Sequence, residues 1–132
     1  MHIDPKSSVP IYRQIVSGVQ SAIESGVYKP GECLPSLRAM ALDIGVNPNT
    51  VQRAYDALER EGTLESRRGV GVFVTDDAAL TAKGAKEKRI SKALKQVVRD
   101  AFRDDISIDR LRSLFESALS SSRGHLRRRQ ND

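Results

Sequence analysis

The sequence is poor in the residues that metal and nucleophile chemistry need. It has one cysteine and two histidines in 132 residues. The single cysteine, Cys33, excludes an internal disulfide, and with no second cysteine or histidine near it in sequence it reads as a reduced, incidental thiol of a cytosolic protein. His2 and His125 fall in opposite, predicted flexible ends of the chain. No Cys/His cluster has metal-ligand spacing. No glycine-rich phosphate loop follows a strand, and Gly69-Val70-Gly71 reads as a hairpin tip, not a nucleotide fingerprint. An enzyme is therefore disfavoured, and neither cofactor nor metal is expected. No apolar run approaches the ~20 residues that span a bilayer. Met1-His2-Ile3-Asp4-Pro5-Lys6 lacks the apolar core of a signal peptide. The expected location is the cytoplasm, with no membrane partner.

Net charge is also missing where it would be most informative. The chain carries +5 overall, yet residues 1–75 hold eight Lys/Arg against eight Asp/Glu. Residues 76–132 hold fourteen against nine. Bulk basicity therefore gives the first 75 residues no general affinity for polyanions, and any such function rests on where individual side chains point.

What is present is a pattern of short capped helices. Ser36 is a good N-cap for a helix carrying Leu37, Met40, Ala41 and Ile44 on one face. Gly45 stands where that helix must end, at a position that favours positive φ. Asn47 followed by Pro48 is a strong N-cap and first-turn pair for a second helix, which buries Val51, Ala54, Tyr55 and Leu58. Its other face offers Asn49, Gln52, Arg53, Asp56 and Glu59. Two such helices joined by a tight glycine turn form a helix-turn-helix signature, whose second helix can lie in a DNA major groove.

The flanks extend this unit. Residues 1–9 read as an extended arm, and Ile11, Ile15, Val19, Ala22 and Ile23 mark a first helix, capped by Ser7 or Ser8 and ended by Gly26. Lys29-Pro30-Gly31-Glu32 has the order of a type II turn. After Gly62, strand-like pieces at 64–67 and 71–74 flank a tip with Arg67, Arg68 and Gly69. A basic hairpin directly after a recognition helix is a wing suited to a phosphate backbone or a minor groove.

Asp76 and Asp77 mark a boundary. Beyond it, Ile90, Leu94, Val97 and Ala101 repeat at 4-3-4 spacing on one predicted helix, widened by Val98 and Phe102. Ser107 caps a last helix bearing Leu111, Leu114, Phe115, Ala118 and Leu119, expected to end at Ser120-Ser121-Ser122-Arg123-Gly124. Two amphipathic helices alone cannot hide both apolar faces, so they either pair with the same helices of a second chain or fold back on the first domain, and the dimer is the favoured inference. The expected fold is mainly α with a small β-hairpin. It comprises an N-terminal winged helix-turn-helix at 8–76, a C-terminal helical dimerisation region at 77–122, and a basic, disordered tail at 123–132. The candidate dimerisation residues are Ile90, Leu94, Val97, Ala101, Leu111, Leu114, Phe115 and Leu119.

These residues resemble the GntR family of bacterial transcription regulators over about residues 8–75. The likeness rests on Pro10-Ile11-Tyr12, Gly26, Lys29-Pro30-Gly31, Leu34-Pro35-Ser36-Leu37-Arg38 and Gly45-Val46-Asn47-Pro48-Asn49-Thr50-Val51. Tyr55, Leu58, Gly62 and Arg68-Gly69-Val70-Gly71-Val72-Phe73-Val74 complete it. The short region after the wing looks like the YtrA-type subgroup, with two helices used for dimerisation. The resemblance implies a dimeric repressor of a palindromic double-stranded DNA operator, often near transport genes, with a small-molecule effector left open. It implies contacts from Ser36 and Arg38, from Asn47, Asn49, Thr50, Gln52 and Arg53, and from Gly69 with Arg67 and Arg68. Val70 stands where many relatives carry a basic residue, which shifts the expected wing contact to Arg67 or Arg68. Pro48 stands where some subgroups read a base with Arg, which leaves that task to Asn49, Gln52 and Arg53. The alternative, kept open by the balanced charge of residues 1–75, is a winged helix that docks on a protein partner.

Overall fold

The computed structural model describes the backbone of residues 1–130 and the side chains of residues 1–123. Helices α1 (Ile11–Glu24), α2 (Leu37–Ile44) and α3 (Pro48–Arg60) precede strands β1 (Leu64–Arg67) and β2 (Gly71–Val74). Helices α4 (Ala78–Arg103) and α5 (Ile108–Gln130) follow. The chain is thus mainly helical with one two-stranded antiparallel sheet.

A first compact unit covers Met1–Lys88. Its core is built from the apolar stripes that periodicity predicts. Ile15, Val19 and Ile23 of α1 meet Met40 and Ala41 of α2 and Val51, Ala54, Tyr55 and Leu58 of α3, with Leu64 and Val74 closing the side. Burying each of the larger aliphatic side chains stabilises the fold by roughly 1.5–3 kcal/mol. The unit extends past Asp76 and Asp77 into α4, because Ala78 and Ala82 are fully buried and Lys86 Nζ pairs with Glu24 Oε2 at 2.9 Å. Periodicity missed Gln20, which is buried on α1. Its Nε2 donates to both Glu61 oxygens at 2.9 and 3.1 Å, and Thr63 Oγ1 donates to the same carboxylate. This polar knot pins the α3–β1 corner to α1.

The expected extended arm at residues 1–9 is instead a folded strap. The Gln14 amide accepts from Asp4 N at 2.7 Å and donates to the Asp4 and Val9 carbonyls at 2.8 and 2.9 Å. Ile3 reaches the core edge, and the Met1 side chain lies over Gly18, where a Cβ would stand 2.8 Å from it. Neither serine caps α1. Pro10 takes the N-cap position, and Ser7 Oγ accepts from Val9 N within the strap.

The second unit begins at Arg89. Within it, Asp105 (φ 59°) turns the chain and Ser107 Oγ accepts from Arg110 N at 3.1 Å, the cap expected for α5. The backbone of α5 continues to Gln130, past the stop expected at Ser120–Gly124. A single glycine costs a helix only about 1 kcal/mol relative to alanine, and no proline interrupts the run. Apart from Arg123 and this backbone, the expected basic tail at 123–132, His125 included, lies outside the described residues.

Leu58 is fully buried and Leu42 is 85% exposed. Urea unfolding should show Leu58→Ala losing about 2–5 kcal/mol and Leu42→Ala changing stability by less than about 0.5 kcal/mol. Similar losses for both would mean that α3 does not pack as described.

Candidate nucleic-acid interface

The start signals of α2 and α3 form their expected bonds. Ser36 Oγ accepts from Ala39 N at 3.1 Å, which caps α2. Gly45 takes the left-handed conformation (φ 68°) that ends α2, and Asn47 Oδ1 then accepts from Asn49 N at 2.8 Å, with Pro48 in the first turn of α3. These caps leave the polar N-terminal turn of α3 on the surface. Asn47, Asn49, Gln52 and Arg53 are exposed and Thr50 is half-buried, while Val51, Ala54, Tyr55 and Leu58 hold the opposite face in the core.

The helices and hairpin are cross-tied at several points. Tyr55 Oη donates to the Pro35 carbonyl at 2.8 Å, joining α3 to the residue before the α2 cap. Burial pushes the Tyr55 phenol well above the usual tyrosine range, with smaller contributions from Tyr28 and Cys33, so it stays a donor through neutral pH. The type II turn closes with Glu32 N donating to Lys29 O at 3.0 Å and Gly31 at φ 81°. The segment after it runs beside β2. Leu34 N donates to Val72 O, Val74 N to Glu32 O and Gly31 N to Val74 O, all at 2.8 to 2.9 Å. This third strand-like segment, absent from the sequence reading, fastens the wing to the entry of α2. Glu59, expected on a free polar face, instead accepts from Ser66 N at 2.9 Å and fastens β1 to α3.

The predicted contact residues thereby share one unit. Ser36 and Arg38 line a hollow of about 500 Å³ with Val70, Gly71 and Val72 of the wing. Arg38 also borders a second hollow with Val46 and Pro48 at the start of α3. Arg68 and Gly69 are exposed at the wing tip, where Gly69 has φ 76° and Val70 N donates to Arg67 O at 2.9 Å. Three side chains are held in ways that the sequence reading missed. Gln52 Nε2 donates to Asp56 Oδ1 at 2.8 Å, an i, i+4 pair legible in retrospect. The Arg53 guanidinium carbon lies 3.9 Å from the centroid of the Tyr12 ring. Arg67 sits 4.0 Å from the Phe73 centroid and 3.1 Å from Glu65. The hairpin register, with Glu65 opposite Phe73, is the signal that could have found the last one.

In the second unit, Leu94, Val97, Leu111, Leu114 and Phe115 line one open apolar groove of about 700 Å³, together with Val98, Phe102 and Ile108. Of the other candidates there, Ala101 is buried, while Ile90 and Leu119 are exposed outside the groove lining. Among the described residues, no helix is long and apolar enough to cross a membrane.

A three-helix core with a capped helix-turn-helix and a following hairpin defines a winged helix-turn-helix DNA-binding protein. Comparison with known proteins places it more closely. The model for bacterial regulatory proteins of the gntR family matches residues 11–74. The chain is 38% identical over 124 residues to the HTH-type transcriptional repressor YtrA of Bacillus subtilis (strain 168), covering 94% of this chain and 95% of that protein. A GntR family transcriptional regulator from Listeria monocytogenes superposes with a TM-score of 0.62 at 28% identity, over 85% of this chain and 97% of that one. The structure of AraR(DBD) in complex with operator ORX1 superposes with a TM-score of 0.51 at 28% identity, over 57% of this chain and 99% of that one. The chain belongs to the GntR family: it is a DNA-binding transcriptional regulator and not an enzyme.

Tyr55→Phe removes the donor to Pro35 O and should lower stability by about 1 kcal/mol in urea unfolding. The folded state holds the Tyr55 proton more tightly than the unfolded state does. Its contribution is therefore complete below the ordinary tyrosine value of 10.0 and falls as pH rises beyond it. Wild type should lose stability above pH 10 more steeply than the phenylalanine variant. Parallel pH profiles would remove Tyr55 from this role.

Proposed function

We propose that this regulator is a cytoplasmic homodimeric repressor whose two winged helices read the halves of a palindromic double-stranded operator. The observation that carries this reading is the exposed N-terminal turn of α3, held in place by the Asn47 cap and the Tyr55–Pro35 bond. In this arrangement Asn49, Gln52 and Arg53 face base edges, where an amide matches adenine and a guanidinium matches guanine. Ser36, Arg38, Asn47 and Thr50 take the flanking phosphates, aided by the helix N-termini. Arg67, Arg68 and Gly69 of the wing take the backbone beyond.

The second unit supports the dimer. Phe102, Ile108, Leu114 and Phe115 are all between 43% and 55% exposed on a single chain. An apolar face of this extent on a soluble regulator fits a second copy of itself, and a two-fold pair of readers fits a palindrome. Leu94, Val97 and Leu111 extend the face, with Ile90, Ala101 and Leu119 at its margins.

Selection from a random duplex pool should yield an inverted repeat bound at least a thousandfold more tightly than random DNA, with steep salt dependence. Arg38→Ala should weaken binding to all sequences alike. Gln52→Ala should relax preference at one position of each half-site, by about 1–3 kcal/mol. A wild-type protein that enriches no sequence would overturn the reading. Sedimentation equilibrium should find a dimer that Phe115→Glu converts to a folded monomer, and a wild-type monomer at micromolar concentration would remove the dimer from the proposal.

A further inference from the structure

Arg53 is exposed on α3, yet its guanidinium is not loose. Its central carbon lies 3.9 Å from the centroid of the Tyr12 ring, within stacking distance. Among the described residues no carboxylate forms an ion pair with it. Asp56, one turn further on α3, is engaged by Gln52 instead. Tyr12 belongs to α1, outside the helix-turn-helix, and is itself well held. It is half-buried and packs on the core edge, next to Ile15 and Val16 in the first turns of α1. Arg13 brings a second guanidinium carbon to 5.5 Å from the same centroid. The ring is therefore a fixed, electron-rich shelf with a preference for cations.

We propose that Tyr12 is a positioning residue for Arg53: its ring face holds the guanidinium in place before DNA arrives, so that Arg53 meets the groove already ordered. The inference rests on the DNA-reading role given to α3 above. A guanidinium stacked on a ring uses its flat face for the contact and leaves the N–H groups around its edge free for a bidentate bond to a base or a phosphate. An arginine that is already restricted loses less rotamer freedom on binding than one that sweeps through solvent. The polar face of α3 is thus completed by a residue of α1.

The test is a mutant cycle on the full chain, read by fluorescence anisotropy against the duplex that wild type selects from a random pool and against its single-base variants. Tyr12→Leu keeps apolar packing and removes the ring, and should weaken binding roughly two- to fivefold. Tyr12→Phe keeps the ring face and should bind as wild type does. In an Arg53→Ala background, Tyr12→Leu should cause no further loss, and base preference should change at the same positions in Tyr12→Leu as in Arg53→Ala. Unfolding midpoints are measured for every variant. Wild-type affinity for Tyr12→Leu, an equal loss in Tyr12→Phe, or an undiminished loss in the Arg53→Ala background would each overturn the proposal. If wild type selects no duplex, the DNA-reading role itself fails. A variant-free measurement covers the case in which Tyr12→Leu does not fold. In free wild type the Arg53 Nε–Hε vector should be more ordered by NMR relaxation than that of Arg60, which is exposed on the same helix. Equal mobility of the two would contradict the proposal.

Discussion

The buried stripe of α3 decides where everything else at the interface points. Val51, Ala54 and Leu58 are fully buried and Tyr55 is nearly so. Seating them against α1 and α2 rotates Asn49, Gln52 and Arg53 outward, since positions on the opposite side of a helix have no other direction available. The Tyr55–Pro35 hydrogen bond then links this orientation to the start of α2, and hence to Ser36 and Arg38. Glu59 links it to β1, and the residue 31–34 segment links β2 back to α2. The three parts of the candidate interface are therefore tied to one another through a small number of bonds around a single packed helix.

Much of this was legible in the sequence because it is local. Ser36, Gly45, Asn47 and Pro48 act within three or four residues of themselves, and the structure forms each bond or dihedral they predict. The hairpin strands fall at 64–67 and 71–74 for the same reason. What was not legible is non-local. Gln14 clamping the N-terminal strap, Gln20 meeting Glu61, and residues 31–34 pairing with β2 join positions whose partners no periodicity announces. Gln20 also shows how a polar residue on an apolar face misleads a pattern, because its amide is buried only through a partner 41 residues away. The end of α5 was misplaced because glycine and serines weaken a helix without stopping it.

The charge distribution gives the interface its character. With eight basic and eight acidic residues in positions 1–75, the winged helix has no general field to draw it onto any polyanion. Two of its arginines are instead supported by aromatic rings. Arg53 rests on Tyr12 and Arg67 on Phe73, while Arg38 borders the hollows that join α2 to the wing and to α3. In the proposed homodimer, specificity comes from pre-placed donors and affinity gains from the second copy. The Lys and Arg residues lie mostly after position 75, apart from α3 in sequence.

The most direct measurement is an NMR titration of the isotopically labelled full chain with the duplex it selects. The account predicts that amide shifts concentrate at residues 36–39, 47–53 and 67–71. A response centred on the apolar groove between Leu94 and Ala118, or spread evenly over the surface, would contradict it.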